Sequence, residues 1–311
     1  MLNFNGEHLL PACLDSLSCG RGGRYDVVVA DNGSGDGSLE LLKNSYPWVR
    51  VIDIGRNRGF SVAYNIALRD VIARGDEYAL LLNNDTYVAP DFVEEMLRAV
   101  EAEPTMGAVS PKIYFAHDPS LFWYAGGDVS LWTGTARHRG WKTVDRGQFD
   151  LRRDITLATG CAMLVRCSAL RDVGLLDEQF WAYLEDVEWS LRFLKSGYRL
   201  GFAPKARVWH CCGATWVGSL GHGSQAKRQY LSTRNMLLLA RKHVRWFQLP
   251  SYFAGFFLNH IAFYTALRLW RGDFEAIGAI YKGLWDGLRM CLAIERWRPA
   301  GGGGGGNESQ A

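Results

Sequence analysis

The chain has 311 residues, of which 48% are hydrophobic and 22% charged, a composition typical of a globular protein and not of a disordered one. Its formal net charge of +3 is too small to indicate nucleic acid as a partner. The seven cysteines form an odd set without a CxxC pair, and no signal peptide is visible, so we expect a reducing, cytoplasmic location.

Short apolar strand patterns alternate with helical patterns through the first hundred residues. The strand patterns cover residues 25–30, 49–54 and 77–82, and the helical patterns cover residues 61–73 and 90–103. This alternation predicts an α/β fold with a mostly parallel sheet flanked by helices, whose ligands lie beyond the carboxyl ends of the strands. Residues 1–6 contain only the end of a first strand and its turn, so either the sheet begins with a stub or the start codon is misplaced. Residues 107–160 are richer in aromatic residues and glycine.

A polar, glycine-rich loop, Asp31-Asn-Gly-Ser-Gly-Asp-Gly37, follows the first of these strand patterns. Its glycine spacing is GxGxG, whereas a dinucleotide fingerprint needs GxGxxG and an acid about twenty residues further on, so we expect no NAD site here. An aspartate at a strand end can instead accept a hydrogen bond from a nucleobase imide or a ribose hydroxyl, and Asp31 is a candidate for that contact. The alternative is an Asx turn, in which Asp31 and Asn32 bind their own backbone.

Oxygen-bearing side chains follow the third strand pattern at Asn83, Asn84 and Asp85. Such ligands suit a hard divalent cation that also holds a diphosphate, with the substrate phosphates supplying the remaining ligands. His210 follows an apolar, strand-like run and is a candidate further ligand to the same ion. The alternatives are a polar strand-to-helix turn and a packed or hydrogen-bonded histidine.

An acidic pair, Glu185 and Asp186, lies among aromatic residues at the start of a helical run. A carboxylate that is poorly hydrated among rings has a raised proton affinity, which suits a general base near neutral pH. The alternative is a first helical turn whose acids complement the helix dipole.

The chain changes character near residue 225. Residues 227–245 carry six basic residues and no acid, which indicates an anionic partner such as phosphate groups or a membrane surface. Residues 250–294 are aromatic-rich and helical in pattern, compatible with an interfacial membrane helix, a packed helical layer or a membrane span, although polar residues at the centre argue against the span. We therefore divide the chain into a catalytic domain (1–225), a C-terminal helical region at which membrane contact is one alternative (226–298) and a disordered, glycine-rich tail (299–311).

Taken together, these segments resemble the family 2 glycosyltransferases of the A-type fold (GT-A), in particular the bacterial rhamnosyltransferase-like branch. The resemblance runs from Leu2 to about Lys242, and each matching motif is weak by itself, but ten occur in family order. The matching segments are Asn3-Phe-Asn-Gly6, Asp31-Asn-Gly-Ser-Gly-Asp-Gly-Ser38, Asn57-Arg-Gly-Phe60 with Asn65, Leu82-Asn-Asn-Asp85, Thr159-Gly-Cys-Ala-Met-Leu-Val-Arg166, Val173-Gly-Leu-Leu-Asp177, Tyr183-Leu-Glu-Asp186, Gly197-Tyr198, Val208-Trp-His210 and Arg234-Asn235.

The resemblance implies roles for matching positions on the donor side. Asp31 would contact the base of a nucleoside-diphosphate sugar, and Arg234 would stabilise the departing diphosphate. Asp85 and His210 would hold Mg²⁺ or Mn²⁺, although Asn83 stands where the family's metal motif usually has an acid. The nucleotide-sugar contacts implied in this way are Asn5, Asp31, Asn57, Gly59, Asn84, Gly160 and Arg234.

On the acceptor side, the resemblance implies that Asp186 is the general base, with Glu185 beside it. A single carboxylate base and no covalent nucleophile imply one displacement with inversion at the anomeric carbon. The function implied is an inverting, metal-dependent glycosyltransferase of the hexosyltransferase type, with dTDP-rhamnose as a candidate donor. Its acceptor would be a glycan or a lipid-linked sugar in cell-surface polysaccharide synthesis, which would place the enzyme at the inner face of the cell membrane.

Two alternatives come from other classes. One is a catalytically silent sugar-nucleotide-binding or scaffold protein, which the short first strand and Asn83 would suit. The other is a nucleotidyltransferase, which would carry a glycine- and base-rich triphosphate loop near the N-terminus, and the sequence contains none there.

Overall fold

Strands and helices alternate along the part of the chain that this computed structural model describes, which is residues 1–19, 25–151, 154–211 and 224–293. The strands are β1 (Leu2–Asn3), β2 (Val28–Asp31), β3 (Arg50–Asp53), β4 (Tyr78–Leu82), β5 (Thr86–Val88), β6 (Met106–Phe115), β7 (Asp118–Tyr124), β8 (Gly127–Ser130), β9 (Thr135–His138), β10 (Asp154–Ile155), β11 (Ala162–Arg166) and β12 (Arg199–His210). The helices are α1 (Leu10–Ser18), α2 (Ser38–Ser45), α3 (Phe60–Ala73), α4 (Phe92–Glu101), α5 (Leu170–Val173), α6 (Glu185–Lys195), α7 (Ser224–His243), α8 (Leu249–Phe256), α9 (Phe263–Trp270) and α10 (Phe274–Ala293). The tail at 299–311 lies outside the described residues.

The central sheet is mostly parallel, as the sequence predicted. Strands β1, β2 and β3 pair in parallel, and a parallel bridge from Leu2 to Asn83 connects β1 to the end of β4. Strand β11 pairs antiparallel with both β4 and β6, and β6 pairs in parallel with β12. Along the order β3-β2-β1-β4-β11-β6-β12, β11 therefore runs against the others, while β10 and β5 pair antiparallel with β12, and β7 pairs antiparallel with β6. Strand β1 has two residues.

This topology brings the predicted site residues to one edge of the sheet. Asp31 ends β2, Asp85 follows β4 and His210 ends β12, and these strands run in the same direction. Strand β11 runs in the opposite direction, so it begins at this edge, where Ala162 pairs with Leu82. Gly160, which precedes β11, therefore lies at the same edge. The polar strand ends of the sequence thus share one edge, as expected for ligand sites on parallel sheets.

Sequence reasoning assigned no element to residues 107–154, which form β6 to β9 and the start of β10. Strand β6 is buried at every position, so it shows no alternation of polar and apolar residues that would mark a strand. The hairpin β8–β9 is half exposed and mostly polar, so it also lacks a clear periodic signal. Both elements became recognisable only through their pairing partners.

Helix α7 packs against helix α6 through a buried ionic cluster. Arg192 of α6 donates two hydrogen bonds from Nε to the Glu188 carboxylate, at 3.1 and 2.8 Å. His243, at the end of α7, lies with Nε2 2.9 Å from Glu188 Oε1, and all three side chains are almost fully buried. Burial alone would raise the pKa of Glu188, but the hydrogen bonds from His243 and Arg192 and the positive charge of Arg192 outweigh it and lower that pKa. The carboxylate is therefore ionised and holds α7 against α6.

We expect Glu188→Gln to lower the free energy of unfolding by about 3 kcal/mol, because it leaves the Arg192 guanidinium buried without its counter-charge. The measurement is urea unfolding at pH 7, with Glu103→Gln as the control. Arg199, the partner of Glu103, is about half exposed, so Glu103→Gln should lower the free energy of unfolding by less than about 1 kcal/mol. The pKa of Glu188 is lower in the folded protein than in the unfolded chain, where it is about 4.3. The ion pair therefore contributes its full stability above about pH 4.3, and this stability is lost as the pH falls through the lower, folded-state pKa. Equal losses in both variants would contradict the buried-pair assignment.

Candidate functional site

The loop after β2 is organised by Asp31, whose side chain is fully buried. Its Oδ1 accepts hydrogen bonds from the backbone N–H of Gly33 (3.1 Å) and Ser34 (2.8 Å), which is an Asx turn. Its Oδ2 accepts from Asn3 Nδ2 (2.8 Å) and from the Ser34 hydroxyl (2.7 Å). Both carboxylate oxygens thus bind the protein itself, and the contact of Asp31 with a nucleobase stays a prediction.

A chain of side-chain amides connects three strand ends. Asn84 Nδ2 donates to Asn3 Oδ1 (2.8 Å), and Asn3 Nδ2 donates onward to Asp31. Gly6 is required beside this chain, since a Cβ there would lie 2.3 Å from the Asn3 oxygen. Asn5 adds a further connection, because its Oδ1 accepts from the backbone N–H of Gly35 (2.7 Å). Sequence reasoning chose Asn5 and Asn84 but missed Asn3, for which the polar residue at the end of a strand was the available signal.

The loop after β3 is connected to the same region through Asn57. Its Oδ1 accepts from Asn32 Nδ2 (3.1 Å) and from the backbone N–H of Gly59 (2.9 Å). Gly59 has φ +84° and packs so closely on Trp181 that a Cβ would lie 2.6 Å from the indole ring. The predicted donor-site residues Asn57 and Gly59 are therefore structurally coupled to the segment that precedes α6.

Asp85 and His210 meet at the sheet edge. Asp85 Oδ1 lies 3.2 Å from His210 Nε2, and both side chains are at least nine-tenths buried. Two ligands at right angles on an octahedral ion with bonds of about 2.1 Å lie about 3 Å apart, so this pair fits two adjacent positions on a divalent ion. Within the described ranges no cluster of three or more His, Cys, Asp or Glu side chains is arranged to bind a metal. The sequence predicts that the donor's phosphates supply further ligands to such an ion.

His210 is held by aromatic neighbours that sequence reasoning did not select. The edge of Trp123 packs on the His210 ring at 4.7 Å, and His138 packs on Trp123 at 4.5 Å. Burial lowers the pKa of His138 to about 4, so this imidazole is neutral at physiological pH. The cluster fixes the orientation of His210 without adding charge.

Asp186 and Glu185 occupy the first turn of α6, in different environments. Asp186 accepts hydrogen bonds from the backbone N–H of Gly160 (3.0 Å) and of Val187 (2.8 Å). Glu185 is 7% exposed, and its Oε2 has no hydrogen-bond partner among the residues described. Burial raises the pKa of both carboxyls, and the charge of Asp186 raises that of Glu185 further, to well above its ordinary value. We therefore assign the negative charge to Asp186, which two N–H groups stabilise, and the proton to Glu185.

The approach to α6 is backbone-strained and is held from α7. Tyr183 and Leu184 have φ of +67° and +63°, a region that costs a non-glycine residue on the order of 1–3 kcal/mol. Asn235 Nδ2 donates to the carbonyl oxygens of Ala182 (2.9 Å) and Tyr183 (2.6 Å). Asn235 is thus a positioning residue that sequence reasoning recorded only as part of a motif.

Arg234, the neighbour of Asn235, binds the same segment. Its Nη2 donates to the carbonyl oxygen of Gln179 (2.9 Å), and its Nε donates to Asn235 Oδ1 (2.9 Å). These contacts give Arg234 a role in holding the backbone before α6. A contact with the departing diphosphate stays a prediction.

A cleft of about 560 Å³ opens beside Asp186 and Glu185. Its walls are the hairpin β8–β9, the start of α6, and helix α7 with the π-helical turn Phe257–Ala262. Two arginines, Arg137 and Arg228, line it together with the two acids. The predicted donor-side residues Asp31, Asp85 and His210 are not part of its lining.

The sequence profile of Glycosyl transferase family 2 matches residues 1–174. The chain is a family 2 glycosyltransferase.

Relatives and a solved structure refine this assignment. The enzyme is 28% identical over 265 residues to an N-acetylglucosaminyl-diphospho-decaprenol L-rhamnosyltransferase of Mycobacterium tuberculosis, covering 79% of this chain and 84% of the relative. It is 24% identical to a dTDP-rhamnosyl transferase of Shigella flexneri, over 70% of this chain and 71% of that one. The mannosyltransferase PcManGT of Pyrobaculum calidifontis, solved with GDP-Man and Mn²⁺, matches with a TM-score of 0.55 at 17% identity, over 92% of this chain and 86% of its own. This glycosyltransferase thus has the A-type fold and belongs to the rhamnosyltransferase-like branch.

We expect Asp186→Asn in the glycosyltransferase to lower kcat at least about 100-fold with donor affinity nearly intact, because the amide cannot accept the acceptor's proton. Glu185→Gln is the matched comparison, since an amide resembles the neutral acid that we assign there, and it should stay within about tenfold of the wild type. Because the base must be ionised, wild-type kcat should fall as the pH drops through the raised Asp186 pKa, above the ordinary aspartate value of about 3.9. Steady-state kinetics across pH measure kcat for both variants and the pH dependence of the wild type. An Asp186→Asn variant within about threefold of wild type would exclude Asp186 as the base.

Proposed function

We propose that this enzyme transfers a rhamnosyl group from a nucleoside-diphosphate donor, with inversion, to a hydroxyl of a glycan or lipid-linked acceptor in cell-surface polysaccharide synthesis. The observation that carries the proposal is the Asp186 carboxylate, which accepts a hydrogen bond from the Gly160 N–H at the sheet edge and lines a cleft. The names of the relatives support rhamnose and a lipid-linked acceptor.

The residues support a single displacement. Asp186 would accept the proton of the acceptor hydroxyl as that oxygen bonds to the anomeric carbon, while the bond from that carbon to the nucleoside diphosphate breaks on the opposite face. Asp85 and His210 would hold Mg²⁺ or Mn²⁺, which when bound neutralises charge on the departing diphosphate. Within the described chain, the cleft presents one ionised carboxylate and a neutral acid beside it, which suits a base and not a covalent double displacement.

The test is release of nucleoside diphosphate from a panel of nucleotide sugars, including dTDP-rhamnose, with N-acetylglucosamine diphosphate on an undecyl chain as acceptor. We expect turnover of dTDP-rhamnose that depends on Mg²⁺ or Mn²⁺, is lost with chelator, and gives a product of inverted anomeric configuration by NMR. Asp85→Ala should weaken donor binding in the presence of metal at least about tenfold, since it removes a ligand of the proposed ion. Unchanged, metal-independent donor binding in that variant would remove Asp85 from the site. Donor binding without turnover in wild type and Asp186→Asn alike would favour the silent-scaffold alternative.

We also propose that the C-terminal helices lie on an anionic membrane surface at the inner face of the cell membrane. Among the described residues, no helix is both long enough and apolar enough to cross a bilayer. Two basic side chains are exposed here, Arg241 in the last turn of α7 and Arg245 two residues after it, and the C-terminal helices also carry apolar residues that are more than half exposed. This apolar set is Trp246, Phe257, Leu258, Phe263, Leu269, Trp270, Phe274, Trp285 and Leu292. Aromatic and basic side chains together are typical of interfacial binding.

Flotation with lipid vesicles tests the membrane proposal. We expect the wild type to bind vesicles containing phosphatidylglycerol and to bind phosphatidylcholine vesicles less. The double change Phe257→Ser with Leu258→Ser should weaken binding at least about fivefold, because it removes two exposed apolar contacts. Leu151→Ser is the control, since Leu151 is also exposed but lies before β10. Equal binding by both variants would contradict the assignment of the surface.

A further inference from the structure

The cleft beside Asp186 carries an unassigned pair of positive charges. Arg137 projects from β9, and Arg228 lies near the start of α7, so the two arginines belong to opposite walls. A volume of about 560 Å³ is in the range of ligand pockets, about 300–1,000 Å³. The cleft is therefore large enough for a sugar with a charged head group.

Among the described residues, Arg137 pairs with no carboxylate. Asp128 lies directly across the hairpin from Arg137, but its carboxylate binds Arg139, whose Nε and Nη2 lie 2.6 and 2.5 Å from it. Across the described residues, neither Arg137 nor Arg228 forms an ion pair with an acidic side chain. Arg228 instead lies with its guanidinium 5.8 Å from the ring centroid of Tyr183, two residues before Glu185. Both guanidinium groups thus keep their hydrogen-bonding capacity for a ligand.

The other titratable groups of the cleft do not cancel this charge. Glu185 is protonated by the argument above, and His138 and His260 are neutral, because burial lowers the pKa of each to about 4. Asp186 is the one lining carboxylate that we assign as ionised, and it is engaged by backbone N–H groups. The cleft consequently has an anionic base at one position and two guanidinium groups on its walls.

The far wall leads toward the proposed membrane surface. Asn259 and His260 of the π-helical turn line the cleft, whereas Phe257 and Leu258 of the same turn are exposed. At the tip of the hairpin, Trp132 packs on Phe247 at 5.8 Å. A ligand with an apolar chain could therefore keep its polar head in the cleft and its chain at the C-terminal helices.

We propose that Arg137 and Arg228 bind the diphosphate of a lipid-linked acceptor, whose sugar hydroxyl then faces Asp186. This inference rests on the proposed function for its acceptor class. Guanidinium groups bind phosphate oxygens in bidentate pairs, so two arginines match a diphosphate. The donor's diphosphate is a separate ligand, because Asp85 and His210 lie outside this cleft.

Binding without turnover tests the proposal independently of the transferase reaction. The probe is N-acetylglucosamine diphosphate on an undecyl chain, below its micelle concentration, titrated by calorimetry in the presence of saturating dTDP and Mg²⁺. The matched probe is the undecyl glycoside of N-acetylglucosamine, which lacks phosphate. We expect the wild type to bind the diphosphate probe more tightly than the glycoside. The double change Arg137→Gln with Arg228→Gln should reduce that preference at least about tenfold, as expected for lost charge-assisted hydrogen bonds.

Control variants and rival outcomes separate the explanations. Arg98→Gln, an exposed arginine on α4 outside the cleft, should leave the preference unchanged. An unchanged preference for the diphosphate probe in the double variant would overturn the proposal. A loss of dTDP affinity equal to the loss of affinity for the probe would also overturn it, because the arginines would then bind the donor. An equal loss for both probes would indicate a structural effect and would also overturn it. If the diphosphate probe binds through the two arginines but no donor is turned over, the proposed function fails and the anion subsite remains.

Discussion

The hydrogen bonds from Asn235 to the carbonyl oxygens of Ala182 and Tyr183 are the constraint on which the position of Asp186, the proposed base, depends. They hold two consecutive left-handed residues immediately before α6, and this turn directs the first residues of the helix toward the sheet edge. Without such a restraint, non-glycine residues would leave that conformation. The amide belongs to α7, so the position of the proposed base depends on the C-terminal helices.

Several buried or partly buried ion pairs hold α7 against α6 and the segment before it. The buried cluster of Glu188, Arg192 and His243 lies one turn further along the face that α6 presents to α7, and Lys242 pairs with Asp177 at 2.8 Å. Buried ion pairs add little net stability but are costly to break, so they fix one docking arrangement between the helices. The same packing interface therefore determines both the position of Asp186, the proposed base, and the shape of the cleft.

The acidic pair shows how one environment gives two neighbouring carboxyls different charges. Both are poorly hydrated, which disfavours ionisation, but Asp186 gains two backbone N–H donors and the start of a helix. Glu185 has no equivalent donor among the described residues and lies beside a negative charge. A neutral Glu185 also reduces repulsion of an anionic ligand in the cleft.

The sequence by itself determined the alternation of strands and helices, the mostly parallel sheet and the polar strand ends, because these follow from local periodicity and from the rule that parallel strands share an edge. It also singled out Asp85, His210, Glu185 and Asp186, whose residue types are unusual in their positions. The domain boundary near residue 225 stays a prediction, although α7 begins at Ser224. The tertiary structure alone decided what Asn3 and Asn235 contact and that Arg234 binds the Gln179 carbonyl. These partners lie 28 to 81 residues away from Asn3 and 52 to 55 residues away from the other two. It also decided that β8–β9 and α7 face each other across a cleft, because the packing of half-exposed elements leaves no periodic signal in the chain.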